Sequence, residues 1–83
     1  MTQALNTGDI DHKVRTMIAE QLHIAYEAVT LDATLVSLGA DSLDIVEMIV
    51  HLDEEFDIEI SDEAAESLHT VRDLIQYVTS LLQ

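Results

Sequence analysis

Polar and apolar positions divide the chain into amphipathic stretches separated by one long arhythmic segment. From Asp9 onwards Ile10, Val14, Met17, Ile18 and Leu22 recur at three- and four-residue steps, the spacing of one helix face. Asp9 and Asp11 stand at its start, where carboxylates complement the helix dipole. The rhythm is lost from His23 to Asp41. Single apolar residues there (Ile24, Val29, Leu31, Leu35 and Leu38) read as anchors pinning a long loop to a core. A loop of that length inside a small domain is usually functional.

Ser42 to Phe56 predicts a second helix. Asp57 to Ser61, DIEIS, alternates like a strand, but no other stretch offers it a pairing partner, so it reads as a connector. Asp62 to Ser67 suits one helical turn or two. Thr70 and Asp73 have the spacing of a capping box, and Val71, Leu74, Ile75, Val78, Leu81 and Leu82 form the stripe of a last helix. Residues 1–8 show no periodicity and predict a flexible N-terminus ahead of a single domain, 9–83. The predicted fold is all-α: a small four-helix bundle, three main helices plus one short helix, with a long loop between helices 1 and 2.

The second helix carries more than one face. At about 100° per residue, Ile45, Ile49, Leu52 and Phe56 fall on a stripe expected to be core. Asp44, Glu47, His51, Glu54 and Glu55 fall opposite. Leu43, Val46 and Val50 make a second apolar strip between the two. Two readings compete for it: a wide arc covered by the long loop, or a partly exposed docking strip whose acidic border steers a basic partner.

Charge sharpens the second reading. Three Lys or Arg stand against 17 Asp or Glu, a net charge of −14. From Asp41 to Glu66 there are 11 acids and no Lys or Arg. Such a surface repels phosphate backbones, which excludes nucleic acid, and attracts positively charged partners. The alternative is a solvated face kept soluble by its charge. The chain is 83 residues long and 48% apolar, enough for one small core and unlike a disordered acidic tail. It has no cysteine, so no disulfide or thiolate metal site staples it. No secretory signal is present and no apolar run nears the ~20 residues that span a bilayer, so a cytoplasmic protein without membrane insertion is expected.

Ser42 opens the acidic helix. The unpaired N–H groups and positive dipole end of a helix start suit a phosphate, and a serine there is also an ordinary N-cap. Local chemistry alone favours the cap. A catalytic nucleophile is excluded: there is no G-x-S-x-G elbow, and His51 lies nine residues on, ~13 Å away at a 1.5 Å rise. His12, His23 and His69 lack metal-ligand spacing. Asp53, Glu55, Asp57 and Glu59 resemble a calcium loop only faintly, since Ile58 and Ala64 occupy the positions of its turn glycine and bidentate glutamate. Weak divalent-cation binding among these acids would relieve repulsion. No catalytic site and no defined metal site is predicted.

From Leu38 to Tyr77 the sequence resembles the acyl carrier proteins of type II fatty-acid synthesis, with Asp41-Ser42-Leu43 preceded by Leu38-Gly39-Ala40 as the core signature. The likeness continues more loosely through Ile18-Ala19-Glu20-Gln21-Leu22. The resemblance implies that Ser42 carries 4′-phosphopantetheine, donated from coenzyme A by a magnesium-dependent phosphopantetheinyl transferase. The protein would be a non-catalytic, monomeric carrier holding acyl groups as thioesters. Partners implied are ketosynthases, acyltransferases, reductases and dehydratases with basic docking patches. Asp41, Asp44, Glu47 and Glu54, with Asp62 and Glu66 on the short helix, would make the charged contacts, and Leu43, Val46 and Val50 the apolar ones. The acyl chain would be sheltered near Val46, Ile49 and Leu68.

Departures from the family pattern bear on the pathway. The segment ATLVSLG is one residue shorter than usual, and Val36-Ser37 replaces a pair of acids, which weakens any cation site there. Ser61 stands where proline is common, and His51 where a small residue is common. A dedicated carrier for a polyketide, aryl-polyene or lipid-modifying pathway is therefore the alternative to fatty acid synthesis. An unmodified acidic helical adaptor, with Ser42 a mere cap, is the remote one.

Overall fold

A computed structural model describes residues 7–82, in which four α-helices follow one another: α1 (Thr7–Leu22), α2 (Ser42–Phe56), α3 (Asp62–Glu66) and α4 (Val71–Leu82). A 3-10 turn at Tyr26–Ala28 interrupts the long loop. The order and types are those expected. The first helix begins two residues earlier than its apolar rhythm, and the rest of the expected flexible end, residues 1–6, lies outside the described residues.

The helices pack because each carries an apolar stripe. α1 contributes Ile10, Val14 and Ile18, all buried at four-residue spacing, and packs against both α2 and α4. α4 contributes Val71, Leu74, Ile75 and Val78, while Leu81, expected in the same stripe, is exposed beyond the end of the core. On α2 the buried residues are Met48, Leu52 and Phe56, and Ile45 and Ile49 are only half-buried against them. This corrects the expected Ile45–Ile49 stripe. The buried arc centres on Leu52; Ile49 sits about 60° off that centre at 100° per residue, and Ile45 belongs to the open end of the helix.

α1 ends where His23 takes a left-handed conformation (φ 58°) and the Ile24 N–H donates back to the Ala19 carbonyl at 3.0 Å. The loop that follows is pinned as its apolar anchors predict, with Val29 and Leu35 fully buried. Hydrogen bonds fix it further. Thr34 and Thr70 form an isolated antiparallel bridge, and the Leu35 N–H donates to the His69 carbonyl at 2.9 Å. Among the described residues there is no strand, so DIEIS is a connector, held by the Ile60 N–H donating to the Asp53 carboxylate.

The start of α4 shows what the loop accomplishes. A helix leaves its first N–H groups without intrahelical acceptors. Here the Val71 and Arg72 amides donate to the Ala33 and Leu31 carbonyls of the loop, both at 3.0 Å. The predicted capping box supplies the rest: the Asp73 N–H donates to Thr70 Oγ1, and the Thr70 N–H to the Asp73 carboxylate. Arg72 also pairs with Asp32 at 2.6 Å. This helix end is closed, and loop and α4 form one unit.

Acid should act on this unit in a defined window. The backbone N–H groups of Thr70 and then His69 hold the Asp73 carboxyl below its ordinary value. A depressed folded-state pKa means the stabilisation is complete above the unfolded pKa near 3.9 and is lost as pH falls below it. Relief of the −14 charge acts in the opposite direction at milder acidity. The melting temperature should therefore rise on mild acidification, pass through a maximum, and fall below about pH 4. Asp73→Asn should flatten the fall without removing the rise, as thermal melts across pH will reveal.

Two smaller devices explain individual residues of the sequence. Gly39 has φ +102°, a conformation that strains any L side chain, in the turn that delivers the chain to α2. No atom would obstruct a Cβ there, so Gly39→Ala should cost about 1–2 kcal/mol through backbone strain alone. Ser61 caps α3, its Oγ accepting from the Ala64 N–H at 3.1 Å. That bond is the work of this serine.

Candidate attachment site and docking face

Ser42 is the first residue of α2, not its cap. The cap is Asp41, whose carboxylate accepts from the Asp44 N–H at 2.9 Å, while the Asp44 carboxylate accepts from the Asp41 N–H at 3.1 Å. This reciprocal box overturns the local reading of Ser42 as an N-cap. It consumes the first and last of the four donors at the helix start and leaves the Ser42 and Leu43 amides without a protein acceptor among the described residues. The contrast with the closed start of α4 is direct.

The serine side chains make the same point. The chain has five serines, all described. Ser37 and Ser67 donate to the Thr34 and Ala64 carbonyls, Ser80 donates to Tyr77, and Ser61 is occupied as a cap. Ser42 alone is exposed with a hydroxyl that has no protein hydrogen bond among the described residues.

Along the same helix Leu43, Val46 and Val50 are 64%, 57% and 47% exposed, a strip one to two turns long at three- and four-residue spacing. The loop does not cover them. Glu47 and Glu54 are exposed beside the strip, and Asp62 and Glu66 are exposed on α3. Glu47 accepts from Gln21 Nε2 at 2.7 Å, and Glu55 from Lys13 at 2.8 Å, so two of the acids also tie α2 to α1. Asp44 is half-buried, and its carboxylate serves the capping box.

Three surface hollows have distinct chemistry. One of about 310 Å³ lies beside the start of α2, lined by Thr34, Leu35, Val36, Ile45, Leu68 and His69. Of the residues expected to shelter an acyl chain it contains Leu68; Val46 points to solvent, and Ile49 is half-buried outside its lining. The others, about 400 and 240 Å³, lie along the α1–α2 seam and carry Glu20 and Glu55, with His51 in the larger. His51 is thus nowhere near Ser42. Among the described residues no group of three or more His, Asp or Glu is placed to hold a metal ion, so the expected weak cation binding has no built site.

Sequence reasoning missed the groove. Val36, at 72% exposure, is the most exposed large apolar residue of the described chain, yet it lies in an arhythmic loop beside a buried leucine. His69 was indistinguishable from the other histidines. The Thr34–Thr70 bridge and the Leu35 N–H to His69 carbonyl bond bring the two sides together.

A family model described as "Phosphopantetheine attachment site" matches residues 12–78. The acyl carrier protein of Akkermansia muciniphila is 44% identical over 75 residues, covering 89% of this chain and 94% of that protein. The crystal structure of a free-standing peptidyl carrier protein from an uncharacterized Acinetobacter baumannii secondary metabolic pathway superimposes with a TM-score of 0.82 at 22% identity. That alignment spans 94% of this chain and 98% of the other, and the likeness is one of fold. Four helices in the carrier arrangement and a match over most of the length lead to one conclusion: the chain belongs to the acyl carrier proteins, non-catalytic carriers whose prosthetic group is 4′-phosphopantetheine.

Proposed function

We propose that Ser42 bears the phosphopantetheine arm and that the protein delivers acyl intermediates to the enzymes of fatty acid biosynthesis in the cytoplasm. The observation that carries the assignment is the free hydroxyl of Ser42, exposed at a helix start whose cap is supplied by its neighbour Asp41. The adjacent Ser42 and Leu43 amides have no protein acceptor among the described residues and lie at the positive end of the helix, which suits a phosphodiester. The arm, when attached, supplies a thiol that holds acyl groups as thioesters, which fits a chain with no cysteine of its own. In the loading step Ser42 Oγ bonds to the phosphorus nearer the pantetheine, the bond to the second phosphate breaks, and adenosine 3′,5′-bisphosphate departs. The hydroxyl proton passes to the transferase.

The acidic α2 face and the Leu43–Val46–Val50 strip serve as the docking surface for the transferase and for ketosynthases, acyltransferases, reductases and dehydratases with basic patches. Asp41, Asp44, Asp62 and Glu66 border it. Charge reversal tests this best at Glu54, because Asp44 also holds the capping box and Glu47 also accepts from Gln21 of α1. Glu54→Lys and Glu47→Lys should each slow loading by the transferase several-fold, about 3- to 10-fold at low salt, with the deficit shrinking as the Debye length shortens. Rates equal to the parent at low salt would refute acidic docking.

The carrier reading itself is tested by incubating the purified protein with coenzyme A, magnesium and a broad-specificity transferase. Intact-mass measurement should show the gain of one phosphopantetheine. No gain with an active transferase would favour the unmodified adaptor. Acyl groups found on protein purified from its native host then separate fatty acid synthesis, which predicts a ladder of saturated and β-oxidised intermediates, from a dedicated polyketide, aryl-polyene or lipid-modifying pathway.

A further inference from the structure

The acids along α2 are held in different ways. Asp41, Asp44 and Asp53 accept from backbone N–H groups. Glu55 is joined to Lys13 at 2.8 Å, an ion pair that offsets its charge. Glu54 is exposed and has no hydrogen bond or ion pair among the described residues. Glu47 differs from all of these. Its Oε1 accepts from the Gln21 side-chain amide at 2.7 Å, a donor that reaches across from the last turn of α1. A carboxylate only accepts, so the amide must present its nitrogen, and that donor is neutral. Glu47 is fixed without being neutralised.

The base of this contact is firm. Gln21 is half-buried, its stem lines the seam beside Met17, and the Ile24 N–H bond to the Ala19 carbonyl closes the helix end around it. Glu47 stands four residues after Leu43 and three before Val50, so it borders the exposed apolar strip on the side facing α1. Its second oxygen, Oε2, has no protein donor among the described residues and is open to a partner. A free glutamate loses rotamer freedom when a partner's cation immobilises it, which weakens binding. A glutamate already held in place loses less.

We infer that Gln21 is a positioning residue for partner docking: its amide holds the charged Glu47 carboxylate at the edge of the Leu43–Val46–Val50 strip, ready for a basic side chain of the transferase. This rests on Glu47 being one of the docking acids. Gln21 acts through Glu47, so its contribution lies in binding and falls on KM rather than kcat. Methionine at position 21 keeps the length and helix preference of glutamine and removes the donor. Alanine at position 47 removes the carboxylate that Gln21 would position.

The test follows transferase loading at low salt in four unmodified proteins: the parent, Gln21→Met, Glu47→Ala and the double variant, each checked for fold by circular dichroism. Gln21→Met should raise KM about 2- to 5-fold at unchanged kcat. Glu47→Ala should raise KM by more, and adding Gln21→Met to it should change nothing further. Independently of activity, the Gln21 side-chain amide resonance should shift in Glu47→Ala. A parental KM in Gln21→Met, additive effects in the double variant, or an unmoved amide resonance each overturns the positioning role and leaves acidic docking standing. A parental KM in Glu47→Ala overturns Glu47 as a docking acid, and this inference with it. No loading in any of the four overturns the carrier reading and the inference together.

Discussion

Ser42→Ala should remain at the unmodified mass after incubation with coenzyme A, magnesium and transferase, and should melt at or slightly above the parent's temperature. The two halves of that result belong together. Loss of loading alone would also follow from a collapsed fold. Retained stability follows from the structure, because the Ser42 hydroxyl is exposed and makes no protein hydrogen bond among the described residues. Alanine is moreover the better helix former by several tenths of a kcal/mol. Asp41→Ala should do the reverse. It removes the acceptor for the Asp44 N–H and breaks the capping box, at about 1 kcal/mol, while leaving a serine to be modified. Had Ser42 been the cap, the costs would be exchanged. On the proposed assignment Asp41 caps the helix and so leaves the Ser42 hydroxyl free for the arm.

Leu52→Ala should produce the largest loss of stability. Leu52 lies at the centre of the buried arc of α2, between Met48 and Phe56, in a core shared with α1 and α4. Truncating a buried leucine costs about 2–5 kcal/mol, depending on how far the surroundings collapse. At roughly 0.05–0.15 kcal/mol per residue a chain of this length has only about 4–12 kcal/mol to lose. The variant should therefore be partly unfolded near physiological temperature. Val46→Ala, on the same helix but 57% exposed, should change stability by no more than about 0.5 kcal/mol. Denaturant melts of the pair discriminate a core stripe from a docking strip. Equal losses would mean that the strip is covered in solution.

Helical periodicity made most of this architecture legible. Ile10, Val14 and Ile18 on α1, and Val71, Leu74, Ile75 and Val78 on α4, are buried as their spacing requires. Thr70 and Asp73 form the capping box their spacing predicts. The loop anchors were legible in part: Val29 and Leu35 are buried, Ile24, Leu31 and Leu38 are half-buried against the core, and Val36 is exposed. Periodicity placed the α2 stripe slightly wrong because Met48 shares the arc with Ile45 and Ile49. Which of the three is covered depends on how α1 and α4 approach, and that is tertiary information.

The site was legible in part. The serine, the acids and the second apolar strip could be read from the sequence, but the division of labour between Asp41 and Ser42 could not. Both residues are good caps, and only the backbone decides which one precedes the first helical turn. The groove was hidden for a different reason. Its sides come from residues more than thirty positions apart, Val36 in the loop and His69 at the foot of α4, joined by backbone hydrogen bonds rather than by any side-chain pattern.

Ser42 is the serine whose hydroxyl the fold leaves free among the described residues. Fragmentation of the loaded wild-type protein in the mass spectrometer tests it most directly, by finding which hydroxyl carries the added phosphopantetheine. The mass increment should fall on Ser42 alone, with Ser37, Ser61, Ser67 and Ser80 unmodified because their hydroxyls are engaged within the fold. An increment on one of those serines, or on a threonine, would contradict it.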